Sequence, residues 1–596
     1  MRDTHRSQAK LGLCVSGTAL LLIVAAAGHC QSQQTTQAES ANKQQFDLSE
    51  QFKQTDMLFS KFDTTVSPGC ALAVLRDGEV IYKRGYGMAD LDHNVPITAD
   101  TVFHVASMSK QFTAAAILLL SEERKLSLDD EVHKYLPELP NFGVPITIRE
   151  LLHHTSGIRD QWDLLDLAGW RYSLDLITDQ DIMKLIDRQK DLNFKPGDRL
   201  LYDNSGYTLL AQIVQKVSGQ SLRAFTTSRI FSPLGMQSTH FRDDHAEIVK
   251  HDAYGYTPTN QRDVFRLSIT NFDTVGATGL LTTVDDLARW DENFYKPRVG
   301  NSDFVNLQLE PGKLNDGSPA ELDAGVNGTL TYASGLMLGS YRGLRIAEHS
   351  GIDAGYRSDL VRFPDKHFSV VCLCNRSDAT PAKLDRRVAD IFLARDFPES
   401  SPKAFGPDTP TVPISEQEMN KYKGLYWDYD TGIPLRIVVK DGSLSVESIP
   451  GHVISLLPLG SGLFGLKDST DRYVFHRPND AERWQLSIQN NAGKALSKYS
   501  SVTPFNPSAT ELKGYAGVYR SDEVDTKVHL IANGRSLVLE RPKNVPSTFG
   551  PTAHDSFEND AGVNISFQRD SHGAVTGFLM NNGRTVNFHF DKALHD

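Results

Sequence analysis

The C-terminal part of the chain repeats itself, and no other feature constrains the fold as much. Tyr422-x-Gly424-x-Tyr426 returns as Tyr515-x-Gly517-x-Tyr519, Asp441-Gly442 as Asn533-Gly534, and Phe475-x-Arg477 as Phe567-x-Arg569, at offsets of 93, 92 and 92 residues. A steady offset across three unrelated features means two copies of one structural unit. Short runs of alternating apolar and polar residues fill both copies, among them 435–439, 443–447, 472–475 and 528–531. Alternation with period two marks strands with one buried face, and Asp-Gly or Asn-Gly between strands marks a hairpin turn. The tail is therefore expected to form two small all-β domains, 416–505 and 506–596. Each is long enough for a sandwich or an up-and-down barrel. The Tyr and Phe positions of the repeat read as its core.

Ahead of the repeat, Pro398, Pro402, Pro407, Pro410 and Pro413 make residues 398–415 a stiff, extended linker. Residues 48–397 mix the two periodicities. Segments 71–75 and 80–82 around Asp77-Gly78 read as a hairpin, and 357–362 and 368–373 as two further strands. Residues 107–123 read as a buried helix, with Phe112, Ala115, Ile117, Leu118 and Leu119 on its apolar surface; 207–217 and 284–294 also carry helical spacing. Strands at both ends with helices between predict one α+β domain whose termini share an antiparallel sheet flanked by helices.

The N-terminus reads as an export signal. Arg2, Arg6 and Lys10 precede the almost uncharged run 11–27, which ends in Ala25, Ala26 and Ala27. Residues 1–27 are expected to be cleaved and 28–47 to form a polar spacer, giving a periplasmic or secreted protein close to membrane or cell wall. Lipidation at Cys30 is disfavoured by His29, since a lipobox wants a small residue there. Cys70, Cys372 and Cys374 read as buried thiols, the last two on one face of a strand and so poorly placed to bond each other. No Cys/His spacing for a metal is present. The net charge of −12 argues against nucleic acid as a partner. Oligomeric state is open, a homodimer included.

Three short motifs carry chemistry. Ser107-Met108-Ser109-Lys110 puts a hydroxyl and an amine one helical turn apart. A serine needs a base beside it to act as a nucleophile, and lysine serves only when burial lowers its pKa. Tyr202-Asp203-Asn204 is the chain's only Tyr-x-Asn, at a loop-to-helix junction; a phenol there can relay a proton and an amide can hold a substrate amide. His349-Ser350-Gly351 is the only His-x-Gly, ahead of a strand; the glycine admits a close approach to the backbone. Each motif alone also fits an ordinary cap or turn.

Together, in this order, they resemble the class C β-lactamase and low-molecular-weight penicillin-binding protein superfamily. Phe103-His104-Val105-Ala106, the segment 151–157 and Gly279-Leu280-Leu281-Thr282-Thr283 resemble it too, over about residues 50–395. The resemblance implies a β-lactamase/transpeptidase-like fold, with Ser107 as acylated nucleophile and Lys110 with Tyr202 as base and proton shuttle. It also implies Asn204, His349, Ser350 and Gly351 at the substrate, and the backbone amides of Ser107 and Ile352 as oxyanion hole. No metal or organic cofactor is implied. His349 stands where penicillin-binding proteins usually carry a lysine, and His-x-Gly is similar to what D-aminopeptidases and some esterases of the superfamily have. A catalytic domain followed by two related β-barrel domains also resembles the D-aminopeptidase architecture, in which a barrel loop reaches the active site.

The expectation is an exported serine hydrolase acting on small D-amino-acid amides or peptides, or on simple esters. A D,D-carboxypeptidase or β-lactamase is the alternative, and would need another cation, Arg357 or Arg345, in place of the missing lysine. A non-catalytic binding or sensor protein using the β domains is the reading of a different class.

Overall fold

The computed structural model describes residues 48–323, 329–398, 405, 409–429, 431–467, 469–479, 483–490 and 493–593. The expected signal and spacer, with Cys30, lie outside the described residues, as does part of the linker. The chain divides at Gln54, and all that follows concerns the unit Thr55–Asp596. Among the described residues no helix is long and apolar enough to cross a membrane.

One antiparallel sheet organises the first domain: β1 (Cys70–Arg76), β2 (Glu79–Tyr86), β3 (Glu321–Asp323), β4 (Thr329–Tyr332), β5 (Met337–Tyr341), β6 (Leu344–Asp353), β7 (Tyr356–Phe363) and β8 (Phe368–Cys374). Its order is β3-β4-β5-β6-β7-β8-β1-β2, so the domain's first strands lie beside its last. Five helices matter here: α1 (Lys110–Glu122), α2 (Gln161–Leu167), α3 (Ser205–Ser218), α4 (Val284–Glu292) and α5 (Pro381–Phe392). α4 packs on β1 and β8, and α5 on β7 and β8. β8 is accordingly buried from end to end, which is why it reads Phe-Ser-Val-Val-Cys-Leu-Cys without alternation. α1 is buried on every side from Lys110 to Leu120 and lies against α3. A helix apolar all round must sit in a core; here Phe112 packs on Trp290 with ring centroids 4.7 Å apart.

Cys70 and Cys374 are register partners on β1 and β8 and form a disulfide, while Cys372 stays a buried free thiol. The expectation of three thiols is therefore corrected. Spacing within β8 puts Cys372 and Cys374 on one face, but the partner is chosen by the pairing of strands 304 residues apart.

Residues 424–502 and 517–592 each close an eight-stranded, up-and-down antiparallel barrel. The repeated residues occupy matching places. Tyr426 Oη donates to the Tyr422 carbonyl (2.8 Å) and Tyr519 Oη to the Tyr515 carbonyl (2.7 Å). Phe475 packs on Tyr422 and Phe567 on Tyr515, with ring centroids 4.9 and 4.6 Å apart. One turn has slipped. Asp441-Gly442 lies between paired Lys440 and Ser443, but the second copy turns at Gly534-Arg535, because Asn533 pairs with Ser536.

The second barrel is anchored on the catalytic domain. Glu523 accepts from Arg159 Nη1 at 2.7 Å and from the Lys190 amide at 2.9 Å, and Arg541 pairs with Asp166 at 2.5 Å. The Glu523–Arg159 pair is buried, so each charge depends on the other.

Candidate active site

Ser107 lies in a 3-10 turn, Ala106–Ser109, that runs into α1. Its geometry is imposed by its surroundings. Ala106 holds a left-handed φ of +50°, costly for a residue with a Cβ. Ser109 Oγ donates to the Ala106 carbonyl and accepts from the Leu280 amide, and Ser358 Oγ of β7 donates to the Val105 carbonyl. Sheet and helix layer thus grip the turn from both sides. Ser107 does not cap α1 with its side chain, since the α-helical part begins at Lys110.

Lys110 is wholly buried. Its Nζ lies 2.8 Å from Asn204 Oδ1, 2.8 Å from the Ala277 carbonyl and 3.2 Å from Ser107 Oγ. Burial, reinforced by the Arg584 guanidinium, brings its pKa down to about 7. The first two partners can only accept, so a neutral amine donates to them and turns its lone pair to Ser107. That one contact can reverse, and reversal makes Lys110 an acceptor for the serine proton.

Tyr202 completes the group. Its ring centroid is 4.9 Å from Lys110 Nζ and 4.3 Å from the His154 ring. Burial raises the phenol above its usual range, while Arg584 and the Ser107 hydroxyl pull it back. Its Oη is buried without a hydrogen bond of good geometry to the protein, which leaves it available for a proton in transit. Asn204, at the start of α3, is tied from behind by Asp160, whose Oδ2 accepts from Asn204 N and Nδ2, both at 2.7 Å. These bonds fix the amide so that its Oδ1 faces Lys110.

β6 forms the opposite wall. β5 pairs with only residues 344–348 of it, so among the described residues no strand lies beyond 349–353, which present an open edge. The two-residue turn Ala354-Gly355 closes on the Asp353–Tyr356 pair. The antiparallel alternation then turns the amides of Ser350 and Ile352 away from β7, toward that open edge. A Cβ on Gly351 would meet the Val105 carbonyl at 2.2 Å, so only glycine lets β6 approach the serine turn this closely. Ser107, Lys110, Tyr202, Asn204 and the 349–352 edge are thus brought together. The amides of Ser107 and Ile352 can serve as paired donors to an oxyanion.

His349 departs from a free binding group. It is buried, its Nδ1 donates to the Ser350 carbonyl (2.7 Å), and its Nε2 accepts from Tyr332 Oη (3.1 Å). Burial and the Lys110 charge bring its pKa down to about 3. It is a neutral ring with both nitrogens engaged and brings no charge to a ligand. Nor do the two arginines expected to compensate. Arg345 is exposed and paired with Asp365, and Arg357 Nη1 donates to the Ala354 and Tyr356 carbonyls.

The cation beside the site comes from the second barrel. Val575–Asn582 and Thr585–Lys592 are joined by the two-residue turn Gly583-Arg584. Glycine at the first position supplies the φ of +62° that this tight turn needs. Three hydrogen bonds clamp the tip to the catalytic domain. Arg584 N donates to Asp163 Oδ2 (2.7 Å), Asn193 Nδ2 donates to the Arg584 carbonyl (2.8 Å), and Val586 N donates to Asn193 Oδ1 (2.8 Å). The guanidinium carbon stands 4.7 Å from the Tyr202 ring centroid. Arg584, Asp160 and Ala277 lie outside every motif read from sequence. The Gly583 turn is visible there, but its destination is not.

Residues 56–394 match the family model described as Beta-lactamase. The chain belongs to the beta-lactamase family. Within this family it is 33% identical over 316 residues to Penicillin-binding protein 4* of Bacillus subtilis (strain 168), covering 51% of this chain and 67% of that one. It is 26% identical over 460 residues to the D-aminopeptidase of Gluconobacter oxydans (strain 621H), covering 77% and 80%. In fold it is similar to the octameric penicillin-binding protein homologue from Pyrococcus abyssi. That match has a TM-score of 0.53 at 23% identity and covers 76% of this chain and all of the other. The beta-lactamase-family domain followed by two closed barrels is the architecture that the resemblance implied.

Proposed function

We propose that the chain is an exported serine hydrolase that cleaves small D-amino-acid amides and peptides through an acyl-enzyme, with simple esters as further substrates. Ser107 Oγ attacks the carbonyl carbon while neutral Lys110 takes its proton. The amides of Ser107 and Ile352 stabilise the oxyanion, worth about 3–4 kcal/mol for one such donor. Tyr202 passes the proton to the leaving amine, and water then releases the acyl group by the same route. One observation carries the reading: buried Lys110, with a pKa near 7, has Ser107 as its one reversible hydrogen-bond contact among the described residues. The neutral, fully engaged His349 supports the D-aminopeptidase side over the penicillin-binding side, as does a similarity to the Gluconobacter oxydans D-aminopeptidase that covers 77% of this chain. The Cys70–Cys374 disulfide supports export to an oxidising compartment.

Matched rates test this. Wild type and Ser107→Ala are assayed on the p-nitroanilides of D-alanine and L-alanine, a p-nitrophenyl ester and a chromogenic cephalosporin. Turnover of the D-anilide, abolished in the variant, is expected. Turnover of the cephalosporin alone would replace the reading with a penicillin-type one.

A further inference from the structure

The charges around the site leave one group without a task. Arg584 is always protonated and offers five N–H donors, and 46% of its side chain is exposed. Among the described residues its one acidic side-chain contact is Asp160, with Nη1 at 3.8 Å from Oδ2, beyond hydrogen-bond reach. Asp160 is already engaged: Oδ2 accepts twice from Asn204, and Oδ1 accepts from the Trp162 amide at the start of α2. Asp163 accepts a hydrogen bond from the backbone amide of Arg584 and attracts its guanidinium only at longer range, while burial raises the Asp163 carboxyl toward the neutral form. His349 brings no charge, and Lys110 is directed inward. The guanidinium is therefore a half-exposed cation with unengaged donors, lying over the Tyr202 ring on a turn whose backbone three hydrogen bonds clamp. Such a group is matched in charge and shape by a carboxylate.

We propose that the Arg584 guanidinium, delivered by the second barrel, receives a free carboxylate of the substrate, so that the enzyme prefers short peptides with a free carboxylate near the scissile bond over their neutral amides. This rests on the acyl-transfer reading above and narrows it. The barrel then acts as part of the specificity pocket, and the turn sets which leaving groups are accepted. A charge-assisted, bidentate pair of this kind is expected to give roughly a ten- to hundred-fold preference.

The full-length protein is tested with D-alanyl-glycine and D-alanyl-glycinamide, which share the scissile bond and differ by one charge. The quantity read is the ratio of their kcat/KM values at several pH values. Wild type is expected to favour the carboxylate peptide ten-fold or more. Arg584→Gln is expected to bring the ratio close to one, and Arg584→Lys to retain part of it. Removal of a cation near Lys110 also displaces the pH profile, but it does so for both substrates, so the ratio isolates the carboxylate contact. A wild-type ratio near one, or a ratio unchanged in Arg584→Gln, overturns the proposal. Loss of turnover of both peptides by wild type, while D-alanine p-nitroanilide is still cleaved, also overturns it and leaves the acyl-transfer reading standing. Loss of the anilide as well removes the underlying reading.

Discussion

Replacing Lys110 by methionine tests the electrostatics of the site through stability. The side chain keeps its reach as far as Cε and loses its amine. In the unfolded chain lysine binds its proton up to the ordinary 10.5, whereas in the fold Lys110 gives it up at about 7. Between these values the unfolded state holds more protons, so wild-type stability rises with pH there. Below pH 7 the full penalty is present. Three and a half pH units at about 1.4 kcal/mol each make that penalty about 5 kcal/mol. By pH 9 about 3 kcal/mol of it is relieved. The methionine variant lacks the lysine titration, though it leaves Asn204 Oδ1 and the Ala277 carbonyl without a donor, at about 1–3 kcal/mol each. That loss is the same at every pH. Urea unfolding of both proteins at pH 6, 7 and 9 is the assay. The stability of wild type relative to the variant should be level from pH 6 to 7 and improve by about 3 kcal/mol by pH 9. A difference that does not change with pH would refute the assignment of Lys110 as a buried, readily deprotonated amine. The same titration governs catalysis: kcat/KM should climb about ten-fold per pH unit below about 7 and then level off.

Three further outcomes are expected. Asp160→Asn weakens the charge-assisted bonds that hold Asn204 and should lower kcat/KM by roughly 10–100-fold, with a much smaller additional effect when combined with Asn204→Ala in a double-mutant cycle. His349→Phe removes the partner of Tyr332 Oη and of the Ser350 carbonyl, so it should destabilise the protein by about 1–3 kcal/mol in denaturant unfolding. Reduction of the Cys70–Cys374 disulfide should lower stability by about 2–5 kcal/mol, and of Cys70, Cys372 and Cys374 only Cys372 should react with a thiol reagent when the protein is unfolded without reductant.

The parts of the fold legible in sequence are those set by local patterns. Asp77-Gly78 marks the β1–β2 turn, and both residues take the positive φ that such a turn requires. The Tyr and Phe repeat marks two barrels in which the Tyr426 and Tyr519 hydroxyls donate to the matching Tyr422 and Tyr515 carbonyls. Ser107, Lys110, Tyr202 and Asn204, which the fold brings together, are legible because each sits in a short motif. What was not legible depends on contacts between distant segments. The disulfide follows from β1 lying beside β8. The engagement of His349 follows from Tyr332, on β4, reaching its Nε2. Arg584 is separated from Tyr202 by nearly 400 residues and meets it only because the second barrel is anchored through Glu523, Arg541 and Asn193. The slipped Gly534-Arg535 turn shows the same limit on a small scale: a dipeptide marks a turn, and strand pairing decides which residues occupy it.

Acylation of Ser107 is read directly by intact-protein mass spectrometry. The enzyme is mixed with an excess of a p-nitrophenyl ester, and the reaction is quenched in acid within the first turnover. One acyl group per chain is expected, located by peptide mapping on Ser107 and missing in Ser107→Ala. An acyl group on another residue, or ester turnover that persists in Ser107→Ala, would contradict the account.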